Sequence, residues 1–199
     1  MYNRTYRMLL ISLFASLTAI GAFLKIPTPF VPFTLQNFFV VLAGLILGSK
    51  AGFASQAVYI LIGLVGIPVF TDGGGLHYVL NYKFGYLIGF AAAAYIIGLI
   101  SETFLKGKNS LIKYIAASFA GLIASYVVGL SYMYLILRFA SGASPSASGL
   151  IVKGFLLFLP LDTVKIITAS WLAKETTKRL TSLKKQQVQN GRTDLQNLK

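Results

Sequence analysis

Residues 154–173 read GFLLFLPLDTVKIITASWLA. The run has the ~20-residue length that an α-helix needs to cross a hydrocarbon core. It also carries an acid and a base, Asp162 and Lys165. Charges inside a membrane segment are expensive and face a protein interior or a cavity rather than lipid. At a spacing of three the two side chains share one helix face. A helix entering at Gly154 puts Asp162 ~12 Å below its start, at 1.5 Å per residue. Pro160 lies just ahead of the pair and frees a backbone carbonyl beside it. The pair is either an ion pair that locks a helix bundle or part of a ligand or ion site. The second reading is carried forward.

Five more apolar stretches flank this one, at 8–24, 35–48, 52–67, 84–101 and 114–137. The expected fold class is therefore an all-α integral membrane protein with six transmembrane helices. The 199 residues are 56% hydrophobic and 12% charged, and mean hydropathy is +0.72. A soluble domain has roughly twice that charged fraction. The apolar content excludes a disordered chain, and the runs are too many for one small soluble core.

The formal net charge is +13, from 18 Lys plus Arg against 5 Asp plus Glu. With a cytoplasmic N-terminus, six crossings put both ends inside. Thirteen basic residues then lie inside, four (Lys25, Lys83, Arg138, Lys153) lie outside, and Lys165 lies within the membrane. The positive-inside rule favours that orientation. The basic excess is thus a topology signal, and no nucleic-acid partner is expected. Arg4 and Arg7 resemble the start of a signal peptide, but the apolar run after them exceeds the usual 7–15 residues. It is read as a retained helix.

The connectors differ in kind. Residues 25–33 read KIPTPFVPF, with three prolines, and are expected to be extended and re-entrant. Residues 49–51 are read as a tight turn. Residues 68–83 read PVFTDGGGLHYVLNYK, a Gly-rich external loop expected to cap a pocket. Residues 1–173 form the membrane domain and 174–199 a basic cytoplasmic tail, expected to fray. Small residues recur every fourth position, notably Ala15 and Ala19, Gly85, Gly89 and Ala93, and Gly121, Ser125 and Gly129. Such stripes let helices pack closely in lipid.

Several absences narrow the function. The chain has no Cys and a single His, His77, so no metal site or nucleophilic triad is expected. No GxxxxGK[ST] pattern is present, so the chain does not hydrolyse ATP by itself. It is not read as an enzyme, and no cofactor is expected. What remains is a ligand-capturing membrane subunit driven by an external motor.

The stretch IPTPFVPFTLQNFFVVLAGLILGSKAGFASQAVYILIGLVGIPVF (26–70), the glycines at 73–75, FGYLIGF (84–90) and FLPLDTVK (158–165) together resemble the BioY family. These are biotin-binding S components of energy-coupling factor (ECF) transporters. The resemblance implies six membrane helices with both termini cytoplasmic, in the plasma membrane. It implies capture of biotin from outside and association with a transmembrane coupling subunit and two ATPase subunits. It carries substrate binding onto Phe33, Gln36, Gln56, Tyr59, Phe70, Gly74, Asn81, Tyr86, Asp162 and Lys165. Ala15 and Ala19 resemble a surface that docks onto the coupling subunit. Tyr82, Lys83 and Leu161 depart from the family pattern, and a related carboxylate such as lipoate is the alternative substrate. In the biotin reading Asp162 accepts from the ureido N–H groups, Lys165 donates, and Asn81 completes the polar shell. Phe33, Tyr59, Phe70 and Tyr86 wall the rings. Lys165 meets the ureido oxygen or the carboxylate; Lys83 is the alternative for the latter.

Overall fold

A computed structural model describes residues 4–28, 31–105, 110–140 and 146–197. Phe30, an aromatic of the proline-rich connector, and Lys106, Lys108 and Lys199, three of the thirteen basic residues expected inside, lie outside the described residues. The element order is α1 (Arg4–Phe23), β1 (Lys25–Ile26), β2 (Phe33–Thr34), α2 (Gln36–Leu47), α3 (Ser49–Leu64), a 3-10 turn (Leu76–Leu80), α4 (Phe84–Ile100), α5 (Leu111–Phe139), α6 (Ala147–Ile151) and α7 (Leu159–Asn197). One π-helical turn, Ser101–Leu105, extends α4, and another, Val152–Leu156, follows α6. Among the described residues, three helical stretches are long and apolar enough to cross a membrane: Arg4–Phe23, Phe84–Leu105 and Leu111–Phe139.

The helix α4 stands at the centre and packs on α2, α3 and α5. It is apolar around its whole circumference, FGYLIGFAAAAYIIGLI, as a helix buried among others must be. The small-residue stripes do the packing expected of them. A Cβ on Gly89 would stand 2.6 Å from the Ser125 carbonyl oxygen, and one on Gly121 would stand 3.1 Å from that of Ala93. Helices α4 and α5 therefore touch backbone to backbone, at a distance no larger side chain allows. On the far side a Cβ on Gly44 would stand 2.9 Å from the Ala94 carbonyl oxygen. Outward faces carry large apolar side chains, among them Leu9, Val65, Ile112 and Val127, each at least 60% exposed. Such a surface suits lipid.

Four boundaries differ from expectation. The turn between α2 and α3 is Gly48 alone, at φ +82°, and residues 49–51 already belong to α3. Only glycine takes that φ freely, and Glu102 receives both the Ser49 amide (2.9 Å) and its hydroxyl (2.7 Å). The two ends of the proline-rich connector pair with each other as antiparallel strands, Lys25 with Thr34 and Ile26 with Phe33. The run 154–173 is not one helix: the chain breaks between the π-turn and α7, with Pro160 in the first turn of α7. Proline fits there because that N–H has no helical partner. Asp162 thus lies in the first turn of α7, not deep along a longer helix. Finally, α7 does not fray at residue 174 but continues to Asn197. Its later sequence, KETTKRLTSLKKQQVQ, is rich in helix-favouring Lys, Arg, Glu, Leu and Gln.

Candidate functional site

Asp162 is 4% exposed. Its Oδ1 lies 2.5 Å from Lys165 Nζ, one turn along the same helix. Its Oδ2 accepts from the Tyr126 hydroxyl of α5 at 2.5 Å and from the Asn37 amide of α2 at 3.3 Å. Lys165 Nζ also donates to the Thr34 carbonyl of β2 at 2.9 Å. Four elements thus converge on one buried pair, and each oxygen of the carboxylate has a donor. That is the condition under which a buried charge is tolerated. The N-terminal turn of α7 adds its partial positive charge on the side of the acid.

A cavity opens beside the pair. Its polar lining comes from Thr34, Gln36, Asn37, Thr71, Lys83, Ser125, Asp162 and Lys165. Its apolar and aromatic wall comes from Tyr78, Tyr86, Leu87, Phe90, Tyr126 and Phe158. A largely apolar hollow with a few convergent polar groups is the usual form of a small-molecule site. Tyr86 is held by a 3.1 Å bond from its hydroxyl to the Gly154 carbonyl. Gln36 Nε2 donates to Tyr59 Oη at 2.9 Å, and Tyr59 in turn donates to the Val69 carbonyl at 3.0 Å. Burial pushes the Tyr78 hydroxyl up to about 12, so at neutral pH it stays protonated beside Thr71 Oγ1, 3.0 Å away.

Of the residues expected from sequence, Gln36, Tyr86, Asp162 and Lys165 line the cavity. Three aromatic residues sit one layer behind it. Phe33 packs on Phe158 (centroids 4.3 Å apart), and Phe70 packs on both Tyr59 (5.5 Å) and Tyr78 (4.6 Å). Asn81 serves its own turn, its Oδ1 accepting the Lys83 N–H at 2.9 Å. Gly74 packs the loop onto the end of α3: a Cβ there would overlap the Ile67 carbonyl, and the next amide, Gly75 N–H, donates to the Gly63 carbonyl at 2.7 Å. Gln56 is fully buried elsewhere, joining α3 to α1 through Thr18 Oγ1 at 3.2 Å. Ala15 is 2% exposed and Ala19 half-buried, so this stripe is packed within the chain rather than laid open.

Sequence reasoning missed Asn37 and Tyr126, the two side chains that complete the shell of Asp162. Asn37 was detectable as a second amide beside Gln36 in an otherwise apolar run. Tyr126 carried no signal, because a tyrosine among small residues in a long apolar helix reads as packing.

A family model described as the BioY family matches residues 1–182. The chain is 46% identical over 174 residues to a "Probable biotin transporter BioY" of Lysinibacillus sphaericus, covering 87% of this chain and 88% of that one. It is 37% identical over 162 residues to a "Biotin transporter BioY" of Thermotoga maritima, covering 81% and 89%. Among solved structures, the fold matches the S-component for biotin from an ECF-type ABC transporter with a TM-score of 0.79. That match covers 89% of this chain and 95% of the other at 24% identity.

Proposed function

Because this chain belongs to the BioY family, we propose that it is a biotin-capturing membrane subunit of an ECF-type transporter, and not an enzyme. The observation that carries the reading is the Asp162–Lys165 pair, bonded at 2.5 Å and lining a mostly apolar cavity. Biotin joins a cyclic urea to an apolar thioether ring and a carboxylate-ended chain. A carboxylate accepts from urea N–H groups. An ammonium has three donors, and among the described residues Lys165 spends two, on Asp162 and Thr34. The third suits the urea oxygen. Asp162 makes room by giving up its weakest contact, the 3.3 Å bond from Asn37. Tyr86, Phe90 and Phe158 flank the apolar rings. Gln36 supplies a further amide, while Phe33, Tyr59 and Phe70 fix the wall from behind, and Gln56, Asn81 and Gly74 hold helices and loop in position.

In this reading the chain crosses the plasma membrane six times with both termini cytoplasmic. Residues 1–173 form the membrane domain and 174–199 a basic extension. The loop at 68–83 covers the ligand from outside. A coupling subunit and two ATPase subunits drive transport.

The test is titration calorimetry of the detergent-purified chain with biotin and with lipoate. Tight biotin binding that Asp162→Asn abolishes, in a variant of unchanged helicity, is the expected result. Biotin affinity unchanged in that variant refutes the site, and preference for lipoate refutes the substrate.

A further inference from the structure

Among the described residues two cations line the cavity, Lys83 and Lys165, and they are held in different ways. Lys165 is tied to a carboxylate that is 4% exposed and to a backbone carbonyl. Lys83 stands at the start of α4, and its Nζ lies 2.7 Å from Asp72 Oδ2. The Asp72 side chain is 38% exposed, and that of Lys83 is 18% exposed. The acid is therefore at the rim, where returning to water costs it little. The cation is the more buried partner and loses more by standing alone. The base of Lys83 is pinned, since its N–H donates to Asn81 Oδ1 at 2.9 Å and its ammonium lies 5.8 Å from the Tyr82 ring centroid. A fixed, part-buried cation with a solvent-exposed, replaceable anion is a site for a second carboxylate.

Resting on the biotin reading above, we propose that Lys83 is the residue that recognises the ligand's carboxylate, and that Asp72 is the anion it releases on binding. The urea end goes to Asp162 and Lys165, and the chain end exchanges with Asp72 on Lys83. The carboxylate then takes a charge-assisted bond in place of the one Asp72 gives up. The loop that carries Asp72 stays tethered next door, where Lys25 Nζ donates to the Thr71 carbonyl. The site consequently prefers a free acid over its neutral ester.

The experiment measures the affinity of the purified full chain for biotin and for biotin methyl ester, in the unsubstituted protein and in Lys83→Gln, Asp72→Asn and Lys25→Gln. The unsubstituted protein should favour the acid. Lys83→Gln should weaken biotin about tenfold, the lower end for a bond to a charged group, and leave the ester within about twofold. Retained ester binding also shows that the variant is folded. Asp72→Asn should bind biotin as well or better, because the competing anion is gone, and Lys25→Gln should leave the acid-to-ester ratio unaltered. An equal loss for acid and ester in Lys83→Gln, no loss for either, or a biotin loss in Asp72→Asn as large as in Lys83→Gln overturns the assignment. If the unsubstituted protein binds neither ligand, the biotin reading itself fails, a result distinct from each of these.

Discussion

Lys165→Met separates what the buried pair does for stability from what it does for binding. The substitution keeps the length of the stem and removes the charge. It leaves Asp162, 4% exposed, with the Tyr126 hydroxyl and a 3.3 Å contact from Asn37 as its side-chain donors among the described residues, besides the helix N-terminus. Breaking a buried pair from one side costs about 3–5 kcal/mol. The Lys165 side chain keeps 16% exposure, so water screens the pair in part and the low end, about 3 kcal/mol, applies. For a chain of this size that loss lowers the unfolding midpoint by roughly 6–12 °C. The double variant Asp162→Asn/Lys165→Met removes both charges, and most of the midpoint should return, because no unpaired charge is left inside. Biotin binding should be absent in both. The assay is thermal unfolding of detergent-purified protein alongside calorimetric titration. An unshifted midpoint in Lys165→Met refutes the reasoning about burial. Biotin binding regained in the double variant refutes the assignment of the pair to the ligand.

Three further outcomes follow from the geometry. Gly89→Val places a side chain where even a Cβ stands 2.6 Å from the Ser125 carbonyl oxygen; the α4–α5 contact should open, with a loss of several kcal/mol or failure to accumulate in the membrane, read by unfolding and membrane yield. Tyr126→Phe removes one donor from Asp162 Oδ2 and should cost about 1.5–3 kcal/mol of stability or biotin affinity; unaltered values of both would show that this bond contributes nothing. Ala15 is 2% exposed in the core, so Ala15→Leu overfills the bundle and should cost about 1–3 kcal/mol of stability, read by thermal unfolding; an unshifted midpoint would show that α1 has room there.

The helical class and the places of its main segments were readable because each rests on a long apolar run with an abrupt polar end. The segment expected at 84–101 meets α4, Phe84–Ile100, almost residue for residue, and the π-turn adds four residues beyond that segment. Asp162 and Lys165 were readable because charge in such a run has no bland explanation. The aromatic wall was less so. Phe33, Tyr59 and Phe70 are aromatic and close to the cavity, yet they buttress it from behind, and one layer of depth leaves no mark on sequence spacing. Asn81 and Gly74 looked like ligand contacts because polar and glycine residues in loops serve both ligands and turns. Here the turn has them, through the Lys83 N–H and the Ile67 carbonyl. The break before α7 was signalled by Pro160, which sequence inspection placed inside a helix rather than at its beginning. The extension of α7 to Asn197 was obscured because a polar, charged helix has no apolar stripe to announce it.

One rod joins the ion pair to the C-terminal part of the chain. Helix α7 runs without interruption from Leu159 to Asn197, and the ion pair occupies its first turns. Thirty-five residues separate Asp162 from Asn197, a lever arm of about 52 Å at 1.5 Å per residue. A tilt of about 10° pivoting at Asp162 sweeps the far tip through roughly 9 Å. The same tilt would carry Ala173, about 16 Å along the rod, through about 3 Å, so the arm can swing only as the buried contacts of α7 with α2 and α5 slide with it.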